Sequence, residues 1–339
     1  MLDFINKLEK EGFPFVLFRS PKTKEINCYY QTDNSTHTTV DFSQEGFVFS
    51  PFEKVDSYIF IPKANCRKIN GLEVSGSSKR AKDIKDDINQ LPYTDLVKKA
   101  LASIENNEFS KVVLSRKIEV HLNANPINLF KQLDDLYPSA FVYYWSHPKT
   151  GKWLGATPER FIKLTTKELH TVALAGTLSK NQTQWSAKEL HEQQLVTDSI
   201  VSSLTDLSPN QAPRVEPTET IAAGSLKHLR TKITLTDPKV PLKNLIETLH
   251  PTPATGGFPK LESMFFIQKN EGYNRRFYTG FLGPFSNMFN ADFFVNLRCA
   301  KITKKGLDIY VGAGITKDSN PFMEWEETQR KAQTFLAVL

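Results

Sequence analysis

Cysteine is scarce and scattered in this sequence. The 339 residues include three cysteines, Cys28, Cys66 and Cys299, and none of them lies in a CxxC or Cys/His spacing. The sequence therefore predicts neither a disulfide framework nor a zinc site. It also lacks an apolar run that could span a bilayer, and its first segment, MLDFINKLEKEG, has no apolar core of the signal-peptide kind. We therefore expect a cytoplasmic protein that has no membrane partner.

A concentrated basic surface is missing as well. Lysine and arginine together number 43 against 37 acidic residues, which leaves a net charge of +6. Nucleic-acid binders concentrate such residues and interleave them with aromatics, whereas here they are dispersed. A small anionic substrate accounts equally well for a mild positive field. We expect no nucleic-acid partner.

The apolar and polar residues alternate in both strand-like and helix-like periods. Residues 1–90 contain short strands and turns, and the polar stretch 75–87 predicts an exposed loop. A helix is predicted over 93–106, followed by the strand KVVLSRKIEVHL, a hairpin of FVYYWSH and KWLGATPERFIKL, and three strand-like segments within 274–315. No regular βαβ period is present, which favours an α+β fold with large, mostly antiparallel sheets. We expect one domain over 1–339 and a monomer.

A first candidate for chemistry is the helix that begins near Ser186. The spacing Ser186-x-x-Glu189 is that of a capping box, which is a purely structural role for Glu189. Glu189 and Glu192 continue into a stripe of Val196, Ile200 and Leu204 at helical spacing. Because the apolar members predict burial, Glu192 is carried inward with them. A buried carboxylate needs a partner, and a metal ion is one way to supply it.

The last predicted helix carries a second set of charges. Glu324, Glu327 and Lys331 lie on one of its faces. An exposed Glu327–Lys331 pair at i, i+4 explains this spacing without any function, and on spacing alone it is the favoured interpretation. Gly312 and Gly314 precede the helix and leave room for their amides to approach an anion, although a plain turn is equally consistent with them.

A third candidate is the pair formed by Lys111 and Glu159. Lys111 opens an alternating strand, and Glu159 interrupts an otherwise apolar one. A lysine in a desolvated site can act as a base, and a glutamate in an apolar site can act as an acid. Solvated strand residues have the same periodicity, so the pattern does not choose between the two interpretations.

Taken together, nine segments resemble the chorismate-utilising enzymes, namely the anthranilate, aminodeoxychorismate, isochorismate and salicylate synthases. The resemblance covers 95–339, while 1–90 is a variable N-terminal part. It implies sheets packed face to face with helices outside, and chorismate as the substrate. The segments occur in the family's order: 111–116 (KVVLSR), 154–160 (LGATPER), 173–177 (ALAGT), 188–196 (KELHEQQLV), 250–257 (HPTPATGG), 273–283 (YNRRFYTGFLG), 296–299 (NLRC), 311–315 (VGAGI) and 324–332 (EWEETQRKA).

The resemblance also implies roles for individual residues. Glu192 and Glu327 match ligands of a Mg²⁺ ion, with Glu189 and Glu324 close by. Arg298 and Tyr278 match positions that grip the enolpyruvyl carboxylate of chorismate. The other implied contacts with the substrate come from His250, which is assigned to the catalytic group, and from Gly176, Thr177, Ala254, Gly312, Gly314 and Lys331.

Within the family, the residues resemble the members that add water to the ring. Lys111 matches the base that deprotonates water, and Glu159 matches the acid that protonates the departing 4-hydroxyl. Ala175 stands where aminodeoxychorismate synthases carry a nucleophilic lysine, and Ala254 stands where ammonia users have threonine. We therefore predict an isochorismate synthase of menaquinone or siderophore biosynthesis. Salicylate synthase is the alternative, and an anthranilate or aminodeoxychorismate synthase component is a less favoured one. One residue departs from the family pattern: Gln193 follows Glu192 at the position where the family usually has a histidine after the metal-binding glutamate.

Overall fold

A computed structural model describes residues 2–69, 89–122, 125–179, 183–223 and 226–339. The loop predicted over 75–87 lies outside these ranges. Seven helices occur within them, and none of these is long and apolar enough to cross a membrane. The helices are α1 Leu2–Glu11, α2 Gln90–Glu105, α3 Pro126–Leu136, α4 Ala187–Leu207, α5 Leu242–Leu249, α6 Lys260–Asn270 and α7 Pro321–Leu336.

Nineteen strands occur in the same part of the chain. The first six are β1 Phe15–Arg19, β2 Ile26–Tyr30, β3 His37–Thr39, β4 Gly46–Ser50, β5 Tyr58–Pro62 and β6 Cys66–Ile69. The next eight are β7 Lys111–His121, β8 Phe141–His147, β9 Gly151–Thr157, β10 Arg160–Leu164, β11 Glu168–Ser179, β12 Arg214–Val215, β13 Glu219–Ala223 and β14 Leu226–Thr236. The last five are β15 Gly257–Phe258, β16 Phe281–Asn287, β17 Asn290–Val295, β18 Cys299–Thr303 and β19 Gly306–Ile315.

The strands form two large antiparallel sheets, which confirms the predicted fold class. The nine-stranded sheet has the order β15-β7-β19-β18-β9-β8-β1-β2-β6, and the ten-stranded sheet follows β12-β14-β11-β10-β17-β16-β4-β5-β3, with β13 paired to β14. Strands from the first 69 residues join both sheets. The single-domain organisation stays a prediction. The predicted helix over 93–106 is α2, which begins three residues earlier at Gln90.

An aromatic core lies between the two sheets. Phe49 of the ten-stranded sheet packs against Trp145 of the nine-stranded sheet, with ring centroids 5.1 Å apart, and stacks on Phe277 at 4.3 Å. On the outer faces, α1, α3 and α7 cover the nine-stranded sheet, and α4 and α5 cover the ten-stranded sheet. The helices lie outside, as the resemblance implies.

Two segments that the sequence presents as continuous strands are in fact broken, and this corrects the prediction. KWLGATPERFIKL divides after Thr157 into β9 and β10, and ADFFVNLRCAKI divides after Val295 into β17 and β18. In each case the two halves belong to different sheets. Pro158 has no N–H for a strand ladder, and Arg298 has a left-handed backbone with φ of 48°. Each residue therefore interrupts the extended conformation between the two strands.

The chain thus crosses from one sheet to the other at residues 157–160 and again at residues 295–299. These two crossovers lie side by side and hydrogen-bond to each other. The Thr157 hydroxyl donates to the Val295 carbonyl at 2.6 Å, and the Val295 N–H donates to the Glu159 carbonyl at 3.0 Å. The Ala156 N–H donates to the Arg298 carbonyl at 3.1 Å. Glu159 and Arg298 are thereby held next to each other where the chain passes between the sheets.

The aromatic core generates a stability prediction. Replacing Phe49, which is fully buried, by alanine leaves a cavity between the sheets and lowers the free energy of unfolding by about 3–5 kcal/mol. Phe265→Ala is the matched control, because that phenylalanine is 66% exposed on α6 and its loss costs little. Urea unfolding of both variants measures the difference. Equal losses would contradict this assignment of the core.

Candidate active site

A cavity opens between the two crossovers, strand β19 and the helices α4 and α7. About 700 Å³ of space in it is free of protein atoms, counting the solvent at its mouth. Most of the predicted site residues meet at its wall. They are Glu159, Gly176, Thr177, Glu192, Ala254, Tyr278, Arg298, Gly312, Gly314, Glu327 and Lys331.

Lys111 lies behind this wall rather than in it. Its side chain is fully buried, and its Nζ is 2.9 Å from Oε1 of Glu192. The Lys111 ammonium forms no hydrogen bond with any described residue. Its contact with Glu192 is therefore an ion pair, and its N–H donors are unused by the described residues. Because a buried charge needs a counter-charge, Glu192 is what makes this position tolerable for a lysine. The interpretation of Lys111 as a solvated strand residue is wrong.

Gly314 makes the contact between Lys111 and Glu192 possible. It pairs with Val113 in the β19–β7 register, so the segment that carries it is a strand and not the turn considered for it. A Cβ at Gly314 would lie 2.3 Å from Oε1 of Glu192 and 3.3 Å from Cε of Lys111. Any larger residue would displace the carboxylate. Gly312 also allows a close approach, since a Cβ there would lie 3.0 Å from the Tyr278 hydroxyl.

Glu159 faces the cavity from the first crossover. It is only 4% exposed, and burial raises the pKa of its carboxyl to about 8, against the lowering influence of Lys111 and Lys331. At neutral pH the group therefore carries a proton. The cavity thus holds an acid that can donate a proton, beside an ammonium that is already paired.

The carboxylates of α7 also have lysine partners. Lys331 lies 2.7 Å from Glu327 at i, i+4, and it donates a hydrogen bond to the Gly312 carbonyl at 2.9 Å. The pair is at the cavity wall, so the interpretation as an exposed surface pair is wrong. Lys188 of α4 pairs with Glu324, which burial shifts towards a higher pKa. Lys331 and Lys188 outweigh the effect of burial on Glu327 and hold its pKa low.

Acidic side chains of α4 and α7 supply oxygen atoms of the kind that a divalent cation binds. Within the described ranges, no group of three or more His, Cys, Asp or Glu side chains is arranged to hold a metal. Two carboxylates, Glu192 and Glu327, face the cavity, and Oε2 of Glu324 is buried without a hydrogen-bond partner. Mg²⁺ takes oxygen ligands and is commonly held by one or two carboxylates together with water and substrate oxygens. These residues therefore fit Mg²⁺.

Besides Lys111, three predicted residues do not line the cavity: Glu324, which pairs with Lys188, and Glu189 and His250. Glu189 accepts a hydrogen bond from the Ser186 N–H at 3.0 Å, so it caps α4 as its structural role predicted. His250 directs Nε2 at the carbonyls of Pro51 and Phe52, at 3.2 and 3.1 Å. Burial lowers the pKa of His250 to about 4, so the ring is neutral and donates to these carbonyls. The structure does not bring His250 to the cavity wall.

His228 is a wall residue that sequence reasoning missed. Its Nδ1 lies 2.8 Å from the Gly176 carbonyl, and its Nε2 lies 3.4 Å from a terminal nitrogen of Arg298. Burial, with Arg298 and Lys331, lowers the pKa of His228 to about 3. The neutral ring therefore donates through Nδ1 and presents an acceptor to the guanidinium. A single histidine in the alternating strand β14 belongs to no recognisable motif, so the sequence alone could not identify it as a site residue.

Gln193, the departure from the family pattern, has a structural role. Its side-chain carbonyl accepts from the Ala175 N–H at 2.8 Å, and its amide donates to the Ala173 carbonyl at 3.0 Å and to Thr231 at 2.9 Å. The residue joins α4 to β11 and β14. It therefore holds Glu192, its neighbour, at the edge of the cavity.

Comparison with known proteins agrees with this geometry. Residues 55–339 match the family model described as chorismate binding enzyme. Isochorismate synthase MenF of Escherichia coli is 30% identical over 261 residues, which cover 73% of this chain and 60% of that protein. Anthranilate synthase component 1 of Aquifex aeolicus is 26% identical over 313 residues, covering 88% and 63%. The chain thus spans about three fifths of the length of these curated relatives.

Solved structures share the fold. MenF, the menaquinone-specific isochorismate synthase from Escherichia coli, superposes with a TM-score of 0.83 at 22% identity, covering 97% of this chain and 89% of that one. Anthranilate synthase component I from Streptococcus pneumoniae gives a TM-score of 0.69 at 17% identity, covering 95% and 92%. The family match extends from residue 55 through every segment that forms the cavity, and the chain belongs to the chorismate-binding enzyme family.

Proposed function

We propose that the chain is an isochorismate synthase, which isomerises chorismate to isochorismate with Mg²⁺ bound. The observation that carries the proposal is that a buried lysine, Lys111, lies directly behind the wall of the cavity that Glu159 lines. Lys111 is fully buried, and Glu159 has a carboxyl that keeps its proton at neutral pH. Moving a hydroxyl group around the ring requires one base and one acid at the same time. The isochorismate synthases among the relatives support the same activity.

Chorismate carries two carboxylates, and the cavity offers two groups of contacts for them. At one crossover, Arg298 presents a planar guanidinium that suits bidentate contact with the enolpyruvyl carboxylate, and Tyr278 lies beside it in the wall. Lys331 and the two strand glycines face the ring carboxylate. Glu192 and Glu327 would hold Mg²⁺, whose positive charge offsets this carboxylate when it is bound.

The reaction then needs one proton removed and one proton delivered. In the proposed reaction the Lys111 ammonium first loses a proton to solvent, and the resulting amine takes a proton from water as the water oxygen bonds to C2 of the ring. The ring double bonds shift and the C4–O bond breaks. Glu159 gives its proton to the departing hydroxide, which leaves as water. The ammonium formed on Lys111 is stabilised by Glu192 at 2.9 Å.

The cavity wall favours water over ammonia as the nucleophile. Ala175 and Ala254 both line it and contribute only methyl groups. The family resemblance implies a nucleophilic lysine at the first position in aminodeoxychorismate synthases and a threonine at the second in ammonia users. No amine other than Lys331 belongs to the described part of the wall.

Product analysis tests the activity directly. Incubation of the protein with chorismate and Mg²⁺ is expected to give isochorismate as the main product, and added ammonium at alkaline pH should not divert it. Chromatography with mass detection separates the candidates. Salicylate with pyruvate would identify the alternative activity, and anthranilate or aminodeoxychorismate as the main product would refute the proposal.

Lys111→Ala and Glu159→Gln should each suppress the reaction in both directions by the same factor. The reverse reaction exchanges the roles of acid and base, and a catalyst does not move the equilibrium. The expected loss is about 10²- to 10⁴-fold in turnover, the usual contribution of a general acid or base. Lys117→Ala on the same strand is the control, because its ammonium pairs at the surface with Glu119. Near-normal turnover in either active-site variant would contradict these roles.

Metal dependence gives a separate prediction. Glu192→Ala and Glu327→Ala should lose most activity, and excess chelator should abolish activity in the wild type. The melting temperature of the wild type should rise with Mg²⁺, because a ligand that binds only the folded protein stabilises it. That rise should be absent in both variants and intact in the Glu119→Ala control. Full activity in chelator would exclude a metal-dependent reaction.

A further inference from the structure

A buried ion pair lies one layer behind the cavity wall and has no part in the mechanism described so far. Arg275 is 2% exposed, and its guanidinium forms a salt bridge with Glu271, whose side chain is equally buried. Neither residue lines the cavity. Burying two charges is costly unless every donor and acceptor is used, so the partners of this pair indicate what it does.

The Arg275 guanidinium uses all five of its N–H donors. Two bind Glu271, through Nε at 2.8 Å and through Nη2. The other three bind residues of the cavity wall: Nη2 reaches the Val113 carbonyl at 2.6 Å, and Nη1 reaches the Thr255 carbonyl at 2.9 Å and the Thr279 hydroxyl at 3.4 Å. One rigid group therefore joins strand β7, the 250–257 loop and the turn before β16.

Glu271 attaches the pair to β7 a second time. Its carboxylate accepts from the Ser115 N–H at 2.7 Å and from the Ser115 hydroxyl at 3.0 Å. The same hydroxyl lies 2.6 Å from the Tyr273 hydroxyl. Lys111, Val113 and Ser115 are spaced two residues apart, so their side chains lie on the same face of β7. The pair thus holds the strand at two points just beyond Lys111.

We propose that Arg275 and Glu271 are positioning residues, which set the distance between Lys111 on β7 and the loop of Ala254 and Thr255. The inference rests on the proposed function, because it concerns the placement of the base for that reaction. The substrate carboxylates bind elsewhere on the wall, so the pair acts on turnover rather than on affinity. Lysine cannot replace Arg275, since it has three donors on a single nitrogen and no fixed fork.

An apolar pair separates positioning from folding. Removing one partner leaves an uncompensated buried charge, whereas apolar residues of similar volume often replace a buried ion pair without loss of stability. The variant Arg275→Met/Glu271→Met therefore keeps the packing and removes the anchors. Arg214→Met/Glu216→Met is the matched control, because that pair is exposed and its nitrogen and oxygen are 3.7 Å apart.

The experiment measures the melting temperature, and kcat and KM for chorismate with Mg²⁺, in wild type, control and the methionine pair. We expect the methionine pair to melt well above the assay temperature with KM changed by less than about threefold. Its kcat should fall by about 10- to 100-fold, since a displacement of about 1 Å can cost that much. In a Lys111→Ala background the same pair should lower kcat by less than about threefold, because residues that act through one another are not additive.

The outcomes of this experiment test the positioning role separately from the proposed function. Wild-type kcat in the methionine pair, an equal loss in the Lys111→Ala background, or a rise in KM that accounts for the whole effect would each overturn the positioning role. If the methionine pair does not fold, Arg275→Lys is measured in the same way and must show the same fall in kcat at unchanged KM. Failure of the proposed function is recognised in the wild type alone, by a product other than isochorismate, and the positioning role is then scored on that product.

Discussion

Two adjacent crossovers between the sheets determine where the rest of the site can be. Buried backbone groups must find partners, and at 157–160 and 295–299 the strands can no longer supply them. The crossovers supply these partners to each other, because the Thr157 hydroxyl and the N–H groups of Val295 and Ala156 each donate a hydrogen bond from one crossover to the other. Because the chain leaves the ladder at these points, Glu159 and Arg298 can turn into the space between the sheets. An acid and a guanidinium thus share one cavity.

Charge pairing decides how the helices close that cavity. Lys111 pairs with Glu192, Lys188 with Glu324, and Lys331 with Glu327, so each inward carboxylate of α4 and α7 has its own ammonium. None of these groups could be buried alone at a reasonable cost. The pairs join α4 to β7, α4 to α7, and α7 to its own next turn. The same carboxylates are the ones that fit a divalent cation.

Local sequence patterns predicted the helices and strands well where the structure depends on residues close together in the chain. The stripe of Val196, Ile200 and Leu204 placed Glu192 on the buried face of α4, and it is buried there. The start of α7 is likewise set by adjacent residues, since Asn320 caps the helix and proline is its first residue. The strand β7 followed from alternation. These features depend on contacts within a few residues, which is why the sequence contains them.

What the sequence determined by itself was the set of chemical groups, the family resemblance and the antiparallel α+β class. Only the tertiary structure decided which groups meet. It divided two apparent strands at Pro158 and Arg298, placed Lys111 behind the wall, left His250 bound to the carbonyls of Pro51 and Phe52, and brought His228 to Arg298. These outcomes depend on pairings between residues far apart in the chain. Periodicity reports which face of an element is buried, but not which other element covers that face.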